Sequence, residues 1–422
     1  MHTHVSVRPD FFVGRFLTNF SFPSIFLSAR FLSLCASMFL CFLTACGGGG
    51  TGAGNDAVSA EKPMSAAAMV GEKIFKDVSL SASGKQSCAS CHNPDTAHAP
   101  ANNLSVQLGG AKLDIPGFRA TPSLRYLNLT PTFFFSDDGT PTGGFTHDGR
   151  AASLAIQAER PFFAPHEMAN KDKADVVSKL ARAAYVADFK KAFGDAILEQ
   201  PETAFSRIQY ALQQYQLEDD EFHSYDSKYD QFLAGKVKLS DAEMRGLALF
   251  NRKDKGNCAA CHPSAKGSQG ESPLFTDFTY DNLGVPRNFK IPATANGDYF
   301  DMGLCGPDRH DLADRLDLCG KFKVPTLRNV ATRKVFFHNG QFSSLEEALR
   351  FYVRRDTNPE EWYPKNADGS IKQFNDIPLA LIGNVNTKEA PYNRQRGMAA
   401  ALSDEEIKDV IQFLGTLTDG YH

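Results

Sequence analysis

The chain has 422 residues with 42% hydrophobic and 22% charged side chains, an ordinary globular composition that excludes a largely disordered protein. Its net charge of −4 gives no basic surface of the kind that binds nucleic acid, so we expect no nucleic-acid partner. The length favours two or three domains, and the odd count of nine Cys requires an account of each cysteine.

The first 45 residues have the pattern of an export signal. Arg30 precedes a mostly apolar run that is too short to span a membrane comfortably but typical of a signal-peptide core. The run ends at Cys46, which small residues precede and a glycine tract follows, as in a bacterial lipobox. We predict a lipoprotein signal over residues 1–45, lipidation of Cys46 and a flexible linker over residues 46–64. Cleavage of an ordinary secretion signal nearby is the alternative.

The segments after the linker are mostly periodic in the manner of helices, so we predict a mainly α fold with Gly- and Pro-rich loops. The predicted helices of the first part span residues 65–77, 176–193 and 203–217. Capping boxes at Ser240 and Ser403 open two further helices, the second of which is expected to end at Gly420.

The sequence contains the pattern C-x-x-C-H twice. Two thiols three positions apart can reach both vinyl groups on one edge of a haem, and the following imidazole then binds the iron. A thioredoxin-like site needs a βαβ context that is not visible here, and a four-cysteine zinc site does not explain a His after each pair. We therefore predict two covalently bound c-type haems, attached at Cys88, Cys91 and His92 and at Cys258, Cys261 and His262.

Two cysteines, Cys305 and Cys319, are left once the signal, Cys46 and the haem motifs are accounted for. Export would place the chain in the periplasm, attached to the membrane only through a lipid. In this oxidising compartment the default is a disulfide that closes a short loop, and two free thiols are the alternative.

Further segments resemble the bacterial di-haem cytochrome c peroxidase family, in particular its MauG- and MbnH-like branch. The resemblance runs from about residue 72 to the C-terminus. The matching segments are residues 145–151, 275–278, 282–284, 322–330 and 337–340. It implies two cytochrome c-like haem domains with long irregular loops. A change of composition before Ser240 places the boundary there, giving an N-terminal peroxidatic domain over residues 65–236 and a C-terminal electron-transfer domain over residues 237–422.

The resemblance also implies the residues of a peroxide site on the N-terminal haem. The family has a distal Gln and a catalytic Glu ten residues apart, which match Gln157 and Glu167. Pro161 matches the position where MauG carries a distal Pro. Glu167 would act as the acid/base that moves a proton during cleavage of the peroxide bond, and the neighbouring His166 is the rival for that role.

The axial ligands follow from the same comparison. Some members place a His before an R-N-x-P-T segment, but the matching residues 109–122 contain none, and His98 is expected at the surface. We therefore expect a five-coordinate N-terminal haem in the resting protein. Tyr352 matches the sixth ligand of the C-terminal haem, where peroxidases carry Met and MauG carries Tyr. The alternative is a core Tyr, with Met302 or Met168 as the ligand.

The sequence departs from the family pattern at two positions. His147 stands where the family usually has a Trp between the haems, and the single Trp of the chain, Trp362, lies elsewhere. Ala120 replaces an Asn that helps to bind calcium between the haems. Calcium is therefore possible only through backbone carbonyls near Arg333 and Val335.

Together these features favour an exported di-haem peroxidase that reduces hydrogen peroxide with electrons from a small cytochrome c or cupredoxin. A MauG- or MbnH-like enzyme that oxidises residues of a partner protein is the second hypothesis. Tyr352 favours it and His147 disfavours it. The third hypothesis is a di-haem electron carrier without peroxide chemistry, which predicts two six-coordinate haems.

Overall fold

The computed structural model of the chain describes residues 63–295 and 297–422. The predicted signal peptide, Cys46 and all but the last two residues of the predicted linker lie outside the described residues. Within the described ranges, no helix is long and apolar enough to cross a membrane.

Helices dominate the regular structure, which confirms the predicted mainly α fold. The α-helices of the described residues are α1 Ala66–Lys76, α2 Cys88–Cys91, α3 Leu154–Gln157, α4 Glu159–Phe163, α5 Lys173–Leu180, α6 Val186–Phe193, α7 Pro201–Glu218, α8 Lys228–Leu233, α9 Asp241–Asn251, α10 Pro292–Ala295, α11 Leu345–Arg354 and α12 Asp404–Gly415. The strands form three antiparallel pairs, which are β1 Leu108–Gly109 with β2 Ile115–Pro116, β3 Phe134–Phe135 with β4 Pro141–Thr142, and β5 Tyr280–Asp281 with β6 Phe322–Lys323.

One helix precedes each C-x-x-C-H motif and packs against a helix from later in the chain. Helix α1, before the first motif, packs against α7, and α9, before the second motif, packs against α12. Both crossings occur at a glycine: a Cβ on Gly71 would lie 2.0 Å from the carbonyl oxygen of Ala211, and a Cβ on Gly246 would lie 2.0 Å from that of Asp409. Both helix pairs therefore depend on the absence of a side chain at the crossing.

We expect the substitution Gly246→Ala to destabilise the protein, although alanine is the better helix former by ~1 kcal/mol. The new methyl group must displace the backbone of α12, and such overpacking costs about 1–3 kcal/mol. Gly415 is the matched control, since it ends α12 and a Cβ there would meet no atom within 4 Å. The free energy of unfolding from denaturant titration should fall for Gly246→Ala and not for Gly415→Ala. Equal stability of the two variants would contradict a tight crossing.

Each half of the described chain has its own hydrophobic core. Large buried side chains of the core in the N-terminal half (residues 63–226) are Phe75, Phe162, Phe189 and Phe205. Those of the core in the C-terminal half (residues 227–295 and 297–422) are Phe250, Phe275, Phe351 and Phe413. Tyr229 of α8 packs in the C-terminal core, although it precedes the predicted boundary at residue 236. The boundary itself stays a prediction.

Both capping boxes form as predicted: the Ser240 hydroxyl accepts from the Glu243 amide, and the Ser403 hydroxyl accepts from the Glu406 amide. Two predicted helix limits are wrong. The stretch 176–193 divides into α5 and α6, since a turn lets α5 pack on α7 while α6 packs on α1.

The last helix ends at Gly415 rather than at Gly420. The hydroxyl of Thr416 donates to the carbonyl of Phe413 at 2.6 Å and closes the helix there. The chain then turns so that Asp419 can accept hydrogen bonds from Arg125 and Tyr126 of the N-terminal half. Local sequence signals do not contain this long-range contact.

Candidate functional site

A cavity of about 1220 Å³ brings both C-x-x-C-H motifs to its walls. This volume exceeds the ~300–1,000 Å³ that is usual for one small-molecule site. The motif residues that line it are Cys88, Cys91, His92, Cys258, Cys261 and His262. None of the four motif cysteines is in a disulfide, so all four thiols are free to form thioethers.

The two motif histidines have ring contacts and a protonation state that favour binding of iron. Nδ1 of His92 lies 3.2 Å from the carbonyl oxygen of His98, and Nδ1 of His262 lies 2.7 Å from that of Phe275. These contacts favour a proton on Nδ1, which leaves Nε2 free to bind iron. Burial lowers the pKa of His92 to about 4 and also lowers that of His262, so both rings are neutral at pH 7. The residues present therefore fit two covalently attached haems.

Gln157, Pro161 and Glu167 all lie in the cavity wall, as the peroxide-site prediction requires. Gln157 ends α3 and Pro161 lies in α4, while Glu167 follows in a turn in which its amide donates to the carbonyl of Ala164 at 2.9 Å. The hairpin of β1 and β2 supports this turn, because the amide of Gly110 donates to the Glu167 carbonyl at 2.7 Å. The structure thus brings the three predicted residues together on one wall.

Charges around Glu167 distinguish it from its rival His166. Burial raises the pKa of the Glu167 carboxyl, and the guanidinium groups of Arg160 and Arg150 oppose that shift. Burial and Arg160 lower the pKa of His166, whose Nε2 lies 3.6 Å from Oε1 of Glu167. A raised pKa brings the Glu167 carboxyl closer to proton exchange at neutral pH, whereas the lowered pKa of His166 keeps that ring neutral there. The predicted role of Glu167 is therefore chemically reasonable, and it stays a prediction.

Sequence reasoning missed an ion pair beside this wall. The guanidinium of Arg160 contacts both carboxylate oxygens of Asp308, at 2.5 and 2.9 Å. Asp308 belongs to a loop of the C-terminal half that the disulfide between Cys305 and Cys319 closes. Arg160 was visible next to Pro161, but its partner lies 148 residues away and only folding brings the two together.

The disulfide loop is tied to the N-terminal half at further points. Asp301, just before the loop, accepts from Arg119 at 2.5 and 2.7 Å, and Arg309 donates to the carbonyl of Asp148 at 2.9 Å. The guanidinium of Arg309 also lies 3.8 Å from the ring centre of Phe133. The C-terminal half therefore completes the wall on which the predicted peroxide site lies.

The expectation of a surface position for His98 is wrong. Its ring is fully buried and stacks on Phe222 with 4.0 Å between the ring centres. Positive φ values at Ala97 and His98 turn the ring into the N-terminal core. Neither ring nitrogen has a hydrogen-bond partner among the described residues, and the side chain does not line the cavity.

Tyr352 of α11 lies in the cavity wall, as does His262. Its ring packs against Phe337 and Tyr392, with ring centres 5.4 and 6.2 Å apart. Burial raises the pKa of its phenol, so the metal-free side chain is protonated. Met168 also lines the cavity, in the N-terminal core, whereas Met302 is not among the lining residues. Ligation by Tyr352 stays a prediction.

Calcium binding between the haems through backbone carbonyls stays a prediction. The described residues contain no group of three or more His, Cys, Asp or Glu side chains that could hold a metal. The carbonyl of Ala120 lies 2.9 Å from Nε2 of His147, and the guanidinium of Arg333 donates to the carbonyl of Thr121 at 3.0 Å. Calcium needs six to eight oxygen ligands, whereas two of the oxygens here already face nitrogen groups. The proposed peroxide chemistry does not depend on calcium.

His147, which stands where the family usually has a Trp, lies in the cavity wall, whereas Trp362 does not. His147 lines the cavity, as does His338, whose ring stacks on Phe322 with ring centres 3.6 Å apart. Trp362 packs instead on Phe342 and Phe351 in the C-terminal core. Trp362 is therefore not in the wall that joins the two haem motifs.

The helical fold, the repeated haem motif and the shared cavity define a di-haem enzyme of the cytochrome c class. A family model described as di-haem cytochrome c peroxidase matches residues 65–238. The chain is 35% identical to the methylamine utilization protein MauG of Paracoccus denitrificans over 84% of this chain and 89% of that protein. It is 30% identical to the cytochrome c551 peroxidase of Nitrosomonas europaea over 77% of this chain and 86% of that protein.

Two solved structures are also similar to this chain in fold and in sequence. The diheme peroxidase BthA of Burkholderia thailandensis is 38% identical with a TM-score of 0.77, and the match covers 85% of this chain and 87% of that one. A MauG-like protein associated with microbial copper homeostasis is 26% identical with a TM-score of 0.59, over 85% of this chain and 91% of that one. The chain belongs to the di-haem cytochrome c peroxidase family, and it is accordingly an oxidoreductase with two haems.

Proposed function

We propose that the chain is an exported peroxidase, attached to the membrane through Cys46, that reduces hydrogen peroxide with electrons from a small cytochrome c or cupredoxin. The observation that carries this proposal is Glu167, a carboxyl of raised pKa that lines the haem cavity together with Gln157. Relatives named as cytochrome c peroxidases support it.

When bound, the haem on His92 supplies the iron at which the peroxide bond is cleaved, and the haem on His262 supplies a second store of electrons. Glu167 takes a proton from the incoming peroxide and returns it to the departing oxygen. Gln157 offers a hydrogen bond from the same wall. The carbonyl of Pro161 accepts from the Met168 amide at 3.0 Å, so this residue presents only an apolar ring to the cavity.

The direct test is steady-state oxidation of a reduced small c-type cytochrome by hydrogen peroxide. We expect oxidation that saturates with both substrates and that needs peroxide. Peroxide consumption without donor oxidation would reject the proposed donor and favour the second candidate. Failure to consume peroxide at all would reject peroxide chemistry.

A second candidate is oxidation of residues on a partner protein, as in a MauG-like enzyme. Tyr352 in the cavity wall and the similarity to MauG favour it. The segment of residues 109–122 also provides no His that could close the distal side of the N-terminal haem. The test is covalent change of a small exported protein encoded beside this chain, measured by mass spectrometry after peroxide addition.

The ligand role of Tyr352 predicts that Tyr352→Phe changes the visible and electron paramagnetic resonance spectra of the C-terminal haem. Tyrosinate is a hard anionic donor that favours ferric iron, so its loss should raise the midpoint potential of that haem. Tyr363→Phe is the control, because Tyr363 is buried in the same core and donates to the Gly284 carbonyl at 2.6 Å. Unchanged spectra in Tyr352→Phe would reject the ligand.

The pair Arg160–Asp308 predicts opposite shifts in the pH profile of peroxide turnover. Glu167 must be deprotonated to accept a proton, so activity falls as the pH falls through its raised pKa. Arg160 lowers that pKa and Asp308 raises it. Arg160→Met should therefore move the acid limb of kcat/KM to higher pH, and Asp308→Asn should move it to lower pH.

The matched control for this pair is Asp317→Asn. Asp317 lies in the same disulfide loop and pairs with Arg315, but both side chains are exposed. Its profile should coincide with the wild-type profile. Shifts of the same sign in Arg160→Met and Asp308→Asn would indicate general damage to the wall rather than an electrostatic effect on Glu167.

A further inference from the structure

Seven cationic side chains line the haem cavity, and two of them differ from the rest. Five are paired with carboxylates within 4.0 Å, namely Arg119, Arg150, Arg160, Arg309 and Arg328. Lys323 and Arg333 have no carboxylate partner in the described part of the chain. Lys323 donates to the carbonyl of Gly144 at 2.6 Å, and Arg333 donates to that of Thr121 at 3.0 Å.

Lys323 and Arg333 are both half-buried. A cation withdrawn from bulk water without a counter-ion is unfavourable, because a single carbonyl dipole replaces little of the lost hydration. Burial accordingly lowers the pKa of Lys323 to about 8 and that of Arg333 to about 10. Asp148 is the carboxylate that raises the pKa of Lys323, but it already accepts from Arg119 and Arg150. An anion from outside the chain would compensate both charges.

Both cations come from the C-terminal half and contact backbone of the N-terminal half. Arg333 donates to Thr121, which belongs to the N-terminal half and lines the cavity as His92 does. The Arg333 side chain therefore lies on the side of the first haem motif. Lys323 ends β6, directly before Val324 and Pro325, which also line the cavity.

The haem itself carries suitable anions. Its vinyl groups are consumed by the thioethers, and its two propionate carboxylates remain as its only anionic side groups. We propose that Lys323 and Arg333 bind haem propionates, with Arg333 serving the haem on His92. The geometry that carries the proposal is the placement of two unpaired cations in the wall of a cavity built for two haems.

The proposal has an electrochemical consequence that is independent of peroxide. A cation beside a propionate stabilises the reduced haem, which is one charge more negative, and it also keeps the propionate ionised. Removing the cation should lower the midpoint potential of the nearby haem. It should also make that potential depend on pH between pH 5 and 8, since the propionate can then take up a proton when the iron is reduced.

The experiment is spectroelectrochemical titration of the two haems in Lys323→Met and Arg333→Met holoproteins. Lys334→Met is the matched control, because Lys334 neighbours Arg333 and donates to the Ala101 carbonyl at 2.8 Å, but is exposed and outside the cavity. We expect a lower and pH-dependent potential for the haem on His92 in Arg333→Met and for one haem in Lys323→Met. The control should match wild type.

Charge-preserving variants separate charge from packing. Lys323→Arg and Arg333→Lys should restore most of the potential, and Lys323→Gln and Arg333→Gln replace the Met variants if those fail to fold. Potentials equal to wild type in the charge-removing variants would overturn the proposal. So would a wild-type potential that depends on added chloride or phosphate and loses this dependence in the variants, since a solvent anion would then be the partner.

Discussion

Replacing Glu167 by Gln is expected to lower kcat/KM for hydrogen peroxide by about 10²–10⁴-fold, the usual contribution of a positioned acid/base. The amide keeps the shape of the side chain but can neither take nor return a proton. Glu167 is not a haem ligand in this assignment, so the visible spectrum of both haems should not change. Stopped-flow rates over a range of peroxide concentrations provide the measurement.

Glu159→Gln is the matched control for this substitution. Glu159 begins α4 and also lines the cavity, but its carboxylate lies 3.7 Å from the ammonium group of Lys173. Its activity should stay within a few-fold of wild type. A normal rate in Glu167→Gln, together with a large loss in His166→Gln, would transfer the acid/base role to His166.

The largest effect on stability is expected for Asp230→Asn. Asp230 accepts two hydrogen bonds from the guanidinium of Arg328, both at 2.8 Å, and both side chains are almost completely buried. Loss of the carboxylate leaves Arg328 as an unpaired charge in the interior, which costs about 3–5 kcal/mol. The free energy of unfolding from denaturant titration of the holoprotein should fall by this amount.

Arg328 also links the two halves of the chain. Its guanidinium lies 4.6 Å from the ring centre of Tyr126 and 4.7 Å from that of Tyr225, and both tyrosines belong to the N-terminal half. The control is Asp409→Asn, which removes the partner of Arg245, a side chain that is 60% exposed. Exposed pairs contribute about 0–1 kcal/mol, so the control should change little. Equal losses in both variants would contradict the special role of the buried pair.

Features that depend on local chemistry could be predicted from the sequence. The haem motifs are five-residue patterns, and the capping boxes at Ser240 and Ser403 are four-residue patterns. Each is therefore complete within a few consecutive residues and can be recognised without knowledge of distant contacts. Gln157, Pro161 and Glu167 came from the family resemblance. The structure places all three on one cavity wall because the same short segment carries them.

Features that depend on distant partners could not be predicted. Asp308 approaches Arg160 across 148 residues, and Asp230 approaches Arg328 across 98 residues. No periodicity or composition signal indicates such pairs. The surface position expected for His98 failed for a related reason, because a pair of left-handed residues turns a polar side chain into an apolar core. Lys323 and Arg333 were recognisable as cations but not as unpaired ones.

Peroxide chemistry at the N-terminal haem is tested most directly by mixing resting, fully oxidised protein with one equivalent of hydrogen peroxide. The Soret absorbance is followed by stopped flow for wild type, Glu167→Gln and Glu159→Gln. We predict a rapid absorbance change in wild type and Glu159→Gln, without prior reduction, and a change at least 10²-fold slower in Glu167→Gln. An unchanged wild-type spectrum, or equal rates in wild type and Glu167→Gln, would contradict the proposed site.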